Sequence, residues 1–117
     1  MPIQDNGQLQ IKDEVVGTGD TAEKGDTVTV QYTGMLMNGT VFDASKNHGD
    51  QGFTFTLGGG QVIAGWDQGL VGMKVGGKRM LVIPAALAYG DRAVGNVIPA
   101  NSTLVFEVEL QNVQKAK

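Results

Sequence analysis

A glycine-rich segment that also carries a helical pattern of apolar residues places the tightest limit on how this chain can fold. Within Gly58–Arg79, four apolar side chains recur at helical spacing: Val62, Trp66, Leu70 and Met73. Three glycines interrupt the same segment: Gly65, Gly69 and Gly72. Each glycine costs about 1 kcal/mol relative to alanine inside a helix. The pattern therefore predicts a short helix near Val62–Val71 that a sheet must approach closely, with Trp66 as the largest apolar surface for a pocket floor.

The rest of the chain is dominated by alternation between apolar and polar residues, which is typical of half-buried β-strands. The alternation is clearest at residues 27–32, 53–57, 79–83 and 104–110, and a weaker strand is expected from Leu9. Turn residues separate these runs, and Asn38-Gly39 predicts a hairpin with a type I′ turn. With one helix to cover its apolar face, the sequence predicts an α+β fold, a twisted antiparallel sheet of about five strands wrapped on one short helix.

The length and the loop pattern indicate one domain over residues 1–117. The segment from Pro84 to Ser102 has no sustained periodicity and is longer than most connecting loops. Functional residues concentrate on such loops, so this segment is a candidate rim over a binding site.

Charge and cysteine content exclude several functional classes. Nine Lys and Arg against twelve Asp and Glu give a net charge of −3, and the basic residues are dispersed, which argues against nucleic acid or an anionic membrane as the partner. The absence of cysteine excludes disulfides, thiolate metal sites and cysteine catalysis. The N-terminal residues lack the features of a signal peptide, and no apolar run approaches the ~20 residues of a membrane span. A cytoplasmic location is therefore expected.

Residues for nucleophilic, nucleotide or metal chemistry are scarce. His48 is the single histidine, so a Ser-His-Asp triad or a metal site would have at most one imidazole ring, and a lone histidine in a loop is usually solvated. Gly72–Lys78 has the spacing of a phosphate-binding loop, but Arg79 follows where that loop requires Ser or Thr. Asp43–Asn47 has the odd-numbered spacing of a calcium loop, but His48 stands where its glycine belongs. No metal or cofactor is expected, and binding should depend on apolar contacts.

Three residues are candidates for a pocket, and two of them, Asp43 and Phe106, fit a structural role as well. Tyr89 stands in the non-periodic segment beside Gly90, where a ring with a hydroxyl suits a pocket wall with a polar tip. Asp43 follows Phe42 just after the predicted hairpin, and its carboxylate fits a solvated turn or a pocket. Phe106 fits either the core or a pocket wall, so the individual positions leave both interpretations open.

Ordered sequence motifs run through most of the chain. The central one is Val62-Ile63-x-Gly65-Trp66-x-x-Gly69-Leu70, followed by Met73-x-x-Gly76-Gly77-Lys78-Arg79. Further blocks are Tyr32-Thr33-Gly34, Phe42–Ser45, Phe53–Phe55, Ala88–Gly90, Val97–Pro99 and Thr103–Leu110. In their order and spacing these motifs resemble the FKBP-type peptidyl-prolyl isomerases. The resemblance extends from Gly7 to Val113, and so many ordered motifs make it specific. It implies the same α+β fold, with a core over about residues 7–113.

The resemblance implies a peptidyl-prolyl cis-trans isomerase that accelerates rotation about Xaa-Pro bonds in proline-containing peptides or unfolded chains. It also implies a monomer that binds macrolides such as tacrolimus and rapamycin. In such a pocket Trp66 is the floor beneath the proline ring and Ile98 belongs to the rim. The implied walls are Tyr32, Phe42, Phe53, Val62, Ile63 and Phe106.

The polar groups of the pocket also follow from the resemblance. The N–H of Ile63 and the hydroxyl of Tyr89 would bind substrate carbonyls, Asp43 would orient the amide or a neighbouring hydroxyl, and Gln61 would offer its backbone carbonyl. The main alternative is a non-catalytic recognition domain that holds a proline-containing segment in the same pocket. Retention of Phe42, Asp43, Trp66 and Tyr89 together favours catalysis, because pseudo-isomerases tend to lose some of them.

The chain departs from the family pattern at two places. His48 replaces an arginine that many members carry, within Lys46–Gly52, which is one residue longer than in compact members. Asp91–Asn96 lacks the His-Pro or Gly-rich tip often found there, so the resemblance does not indicate protein partners. The absence of a large insertion favours a compact isomerase over the chaperone-bearing branch. An engineered or consensus-like origin is compatible with the same residues.

Overall fold

A computed structural model describes residues 9–48, 52–90 and 98–116, except for the side chains of residues 47 and 48. The described elements are β1 Gln10–Val15, β2 Thr27–Leu36, β3 Val41–Ala44, β4 Phe53–Thr56, α1 Ala64–Gly69, β5 Lys78–Ile83 and β6 Leu104–Gln114. Two short 3₁₀ helices lie at Ser45–His48 and Ala85–Leu87. The predicted α+β architecture is confirmed, with six strands in the sheet where about five were expected.

The sheet is antiparallel throughout, but its neighbours are mostly not consecutive in sequence. The strand order is β1-β5-β6-β2-β3, and β4 pairs with β2 beside this path. β2 pairs with β6 over residues 27–36, while its other edge meets β4 over residues 27–30 and β3 over residues 33–35. β2 and β6 therefore form the centre of the sheet, and both carry residues of the site.

The hairpin between β2 and β3 corrects the turn predicted at Asn38-Gly39. A type I′ turn needs positive φ at both central residues. Here Gly39 has a φ of 90°, and Asn38 is not among the described residues with positive φ. Leu36 accepts a hydrogen bond from Gly39 at 2.9 Å and donates one to Thr40 at 2.8 Å, so the connection is a three-residue loop that ends in glycine. The strand that follows, β3, has only four residues, too few for alternation to show in the sequence.

The helix is shorter than the predicted range of Val62–Val71. Ile63 is its N-cap residue, with extended backbone angles of −60° and 150°, and Leu70 is its C-cap residue. Gly72 has a φ of 92°, which ends any continuation of the helix. Within the described ranges, no helix is long and apolar enough to cross a lipid bilayer.

The inner face of the sheet and one face of α1 form the core. The fully buried side chains include Val28 and Val30 of β2, Leu81 and Ile83 of β5, and Leu104, Val108 and Leu110 of β6. Both helical glycines face β5, as the sequence predicted. A Cβ atom on Gly65 would overlap Ile83 Cγ2, and one on Gly69 would lie 2.9 Å from Leu81 Cδ2. Glycine is required here because the sheet approaches the helix backbone.

We expect Gly65→Ala to destabilise the protein although alanine favours helices. Helix propensity would improve by about 1 kcal/mol. The overlap with Ile83, which is fully buried, should cost about 2–3 kcal/mol, so the net free energy of unfolding falls. Urea denaturation of Gly65→Ala, Ile83→Ala and the double variant provides the measurement. The double variant should lose less stability than the sum of the two single losses, and additive losses would contradict the contact.

A buried carboxylate, Asp26, secures the segment that follows β6. Asp26 is 2% exposed and accepts hydrogen bonds from Lys115 Nζ at 2.7 Å, Glu23 N at 2.9 Å and Ala116 N at 3.0 Å. The hydrogen bond from Lys115 is the main reason that the pKa of Asp26 lies below its usual range. These contacts join the segment after β6 to the turn before β2.

This contact predicts a stability difference that depends on pH. An aspartate whose pKa is lowered in the folded state stabilises the fold above its unfolded pKa of about 3.9, and this contribution disappears as the pH falls through the folded pKa. Asp26→Asn should therefore be less stable than the wild type at neutral pH, and the difference should shrink in acid. Urea midpoints of both proteins between about pH 2 and pH 7 would test this. An equal difference at both ends of that range would contradict it.

Candidate active site

An apolar cavity of about 220 Å³ opens between the sheet and the first turn of α1. Its lining consists of Tyr32, Phe42, Asp43, Phe53, Gln61, Val62, Ile63, Trp66, Tyr89 and Phe106. The structure thus brings ten of the eleven residues singled out in the sequence to one cavity. The other, Ile98, is 4% exposed within the hydrophobic core and is absent from the described lining. Its place on the rim stays a prediction.

The floor of the cavity is a cluster of aromatic rings around Trp66, which is 4% exposed. The ring of Tyr32 lies 5.0 Å from that of Trp66 and the ring of Phe106 lies 5.2 Å away, and both meet the indole edge-on. Phe55 lies beneath, 5.7 Å from the indole. Trp66 Nε1 is buried and has no hydrogen-bond partner among the described residues. Packing, not hydrogen bonding, therefore holds the indole in place.

The glycine-rich loop before α1 is fixed by two side chains. Asp67 accepts hydrogen bonds from Gly58 N at 2.8 Å and Gly60 N at 3.0 Å, and the side-chain oxygen of Gln61 accepts one from Thr56 N at 2.9 Å. These bonds hold Gln61 at the cavity edge. Asp67 was not among the residues predicted for the site, although a carboxylate in the first turn of a helix after a glycine-rich loop is a typical acceptor for loop N–H groups.

A carboxylate and two phenol groups form the polar side of the cavity. Tyr32 donates its hydroxyl to Asp43 Oδ2 at 2.7 Å, and Ala44 donates its N–H to Asp43 Oδ1 at 2.9 Å. Burial, and then the hydrogen bond to Asp43, raise the pKa of Tyr32 well above its usual value of 10.0. Burial and the charge of Asp43 also raise the pKa of Tyr89. Both hydroxyls therefore stay protonated, as donors, throughout the neutral range.

Two hydrogen-bond donors of the cavity are available to a ligand. The carbonyl of Ile63 accepts bonds from Trp66 N at 3.0 Å and Asp67 N at 3.3 Å, but its own N–H precedes the helix and has no acceptor among the described residues. The hydroxyl of Tyr89, a residue 40% exposed, likewise has no partner in the described ranges. An apolar floor with two free donors suits a ring flanked by carbonyl groups.

A second concavity, of about 210 Å³, lies on the solvent face of the sheet. Its lining is mainly polar and includes Lys46, Lys78, Glu107 and Glu109. It lacks the apolar walls that would exclude water, so the cavity above Trp66 is the better candidate for a site.

Comparison with known proteins shows the family to which the chain belongs. Residues 19–111 match the sequence model of the family described as FKBP-type peptidyl-prolyl cis-trans isomerase. The chain belongs to this family. FK506-binding protein 1A of Neurospora crassa is 52% identical over 114 residues, which cover 97% of this chain and 93% of that protein. The FK506-binding protein of Neisseria meningitidis serogroup A is 55% identical over 107 residues, which cover 92% of this chain and 97% of that protein.

Solved structures of FKBP-type proteins share the fold. The crystal structure of AtFKBP13 superposes with a TM-score of 0.83 at 45% identity, covering 89% of this chain and 91% of that one. The peptidyl-prolyl cis-trans isomerase of Pseudomonas syringae pv. tomato gives a TM-score of 0.80 at 36% identity, covering 92% of this chain and 76% of that one. The predicted family, fold and enzyme class are confirmed: this FKBP-type protein is a peptidyl-prolyl cis-trans isomerase.

The two departures from the family pattern remain predictions. The side chain of His48, residues 49–51 and residues 91–97 lie outside the described residues.

Proposed function

We propose that this isomerase binds the proline ring of Xaa-Pro segments in the cavity above Trp66 and accelerates cis-trans rotation there. One observation carries the proposal: an aromatic floor, a carboxylate and two donors that have no partner among the described residues share one cavity. The ring of the substrate proline would lie on the indole. Phe42, Phe53, Val62 and Phe106 would enclose it from the sides.

Rotation about the Xaa-Pro bond needs no covalent chemistry. The barrier is near 20 kcal/mol because the twisted amide loses its resonance, which also removes most of its charge separation. A site that excludes water disfavours the planar, more polar amide relative to the twisted one. Each ~1.4 kcal/mol gained in this way gives a tenfold increase in rate. Aromatic walls supply such surroundings without any acid or base.

The polar groups would orient the substrate. The N–H of Ile63 and the hydroxyl of Tyr89 would donate to the carbonyls that flank the proline, and the backbone carbonyl of Gln61 would accept a substrate N–H. Asp43 is fixed by Tyr32 and by Ala44 N–H, so its charge has a defined position beside the rotating amide. Ile98 would support the rim from the core.

The same cavity would bind macrolides such as tacrolimus and rapamycin. The relatives from Neurospora crassa and Neisseria meningitidis are named FK506-binding proteins and share more than half of their aligned residues with this chain. A macrolide that presents a ring and adjacent carbonyls would meet the same floor and donors as a prolyl peptide. We propose that the protein acts as a cytoplasmic monomer of one domain.

The site is tested by NMR exchange spectroscopy on a Leu-Pro or Phe-Pro peptide at substoichiometric protein. We expect exchange between cis and trans peptide signals, and an excess of peptide should shift the Trp66 indole and Ile63 amide signals. Exchange with peptide-induced shifts confined to the solvent face around Lys78 would place the site elsewhere. Binding at the cavity without exchange would indicate a recognition domain.

The same measurement predicts a flat pH profile and no metal requirement. Between about pH 6 and pH 8 both cavity phenols stay protonated, and the single histidine, the residue type that ordinarily titrates in that interval, has no assigned role at position 48. Exchange rates should therefore be unchanged across this interval, in His48→Gln and after addition of a chelator. A steep profile that disappears in His48→Gln, or loss of activity with chelator, would contradict the mechanism.

A further inference from the structure

A buried arginine holds the end of α1 that lies away from the cavity. Arg79 of β5 is 8% exposed. Its Nη1 donates to the carbonyl of Gly69 at 2.8 Å and to that of Val71 at 3.0 Å. Its Nε and Nη2 donate to the two carboxylate oxygens of Asp13 on β1, at 2.7 and 3.4 Å. One side chain therefore joins two strands to the C-terminal end of the helix.

Apart from the packed Trp66 and the loop hydrogen bonds of Asp67, the helix has few features of its own that would fix its C-terminal end. It has six residues, no basic residue in its last turn and no side-chain hydrogen bond at its N-cap. Two of its residues, Gly65 and Gly69, disfavour helix formation. The last carbonyls of a helix lack intrahelical donors and carry partial negative charge. Arg79 supplies both the donors and the positive charge from outside the helix.

The contact needs the planar shape of a guanidinium group. One edge of Arg79 faces the carboxylate of Asp13 while Nη1 reaches the two carbonyls at the helix end. A lysine ammonium is a single point of charge and cannot span both sets of acceptors in this fork geometry.

Backbone hydrogen bonds connect this end of the helix to the cavity. Leu70, the residue after Gly69, donates its N–H to the carbonyl of Trp66 at 3.0 Å, and Trp66 donates to the carbonyl of Ile63 at 3.0 Å. Because the Trp66 indole has no hydrogen bond of its own among the described residues, its height in the cavity depends on its packing against the neighbouring rings and on the position of the helix.

We propose that Arg79, oriented by Asp13, is a positioning residue of this isomerase. By holding the C-terminal end of α1, it sets the height of the Trp66 indole and the direction of the Ile63 N–H in the cavity. The inference rests on the proposed function, which places the substrate proline on that indole.

The test compares Arg79→Lys and Asp13→Asn with Lys115→Ala, which removes the two ion pairs of Lys115 with Glu23 and Asp26. All are studied well below their melting temperatures. We expect Arg79→Lys to displace the Trp66 indole by up to about 1 Å and thereby to lower kcat/KM for a prolyl peptide by about tenfold. Asp13→Asn, which keeps the arginine, should lower kcat/KM by less. In both variants the Trp66 indole and Ile63 amide signals should move in the ligand-free protein. Lys115→Ala should lose stability and keep its kcat/KM and its indole signal.

Wild-type kcat/KM in a folded Arg79→Lys, or a loss of kcat/KM with an unmoved indole signal, would overturn the positioning role. If Arg79→Lys does not fold, kcat/KM and the Trp66 indole signal of Asp13→Asn test the proposal instead, because that variant keeps the arginine and weakens only its partner. Failure of the proposed site gives a different result: the peptide would then leave the Trp66 signal of the wild-type protein unchanged.

Discussion

Asp43→Ala is expected to lower kcat/KM for a prolyl peptide by about 10- to 100-fold, because hydrogen bonds to charged groups contribute about 1.5–3 kcal/mol. The variant removes the acceptor of the Tyr32 hydroxyl and of Ala44 N–H, and with it the charge beside the substrate amide. The free energy of unfolding should fall by less than this, since Asp43 lies at the cavity surface, where water can replace part of the lost hydrogen bonding. Tyr89→Phe removes a neutral donor and should cost about two- to tenfold.

Val108→Ala is the matched control with the opposite expected result. Val108 is fully buried on β6 and does not line the cavity. Its truncation leaves a void in the core and should lower the free energy of unfolding by about 2–3 kcal/mol. Its kcat/KM should stay within about twofold of wild type at temperatures where the variant is folded. Melting temperatures and NMR exchange rates of Asp43→Ala, Tyr89→Phe and Val108→Ala test these expectations. If Asp43→Ala unfolds the domain while sparing activity, its role in the cavity is wrong.

Alternation predicted the strands well because one face of the sheet is buried. Val28 and Val30, and likewise Leu81 and Ile83, are fully buried at the inward positions of their strands. The same pattern says nothing about which strands are neighbours. β1 pairs with β5, some 65 residues later in the chain, and only the folded helix and sheet decide that partner.

The cavity residues were predicted from the family motifs more than from their individual properties. Phe106 and Asp43 each fitted more than one role until the structure placed them on a common cavity. Contacts that depend on tertiary packing were missed. Predicting that Arg79 is buried would have required the position of the C-terminal end of α1 relative to β5 and Asp13. No local sequence pattern gives that position.

Trp66 makes the macrolide proposal directly measurable, because it is the single tryptophan of the chain and lies on the cavity floor. A ligand that fills the cavity changes the surroundings of the indole. Rapamycin should therefore change the intrinsic fluorescence of the protein, and the change should saturate at one ligand per chain. Salt should have little influence, because the contact is mainly apolar.

Binding should also raise the melting temperature, since rapamycin would bind the folded state alone. At a ligand concentration about 100 times Kd the added stability is about 2.7 kcal/mol, which corresponds to a rise of roughly 10 °C for a domain of this size. Lys78→Ala, on the solvent face of the sheet, serves as the control and should respond as the wild type does. Tight binding by calorimetry without a change in Trp66 emission would mean that the macrolide binds elsewhere. A folded protein that isomerises prolyl peptides but does not bind rapamycin would contradict the macrolide proposal and leave the isomerase proposal intact. The altered segments Lys46–Gly52 and Asp91–Asn96 would then be the candidates for excluding the larger macrolide ring.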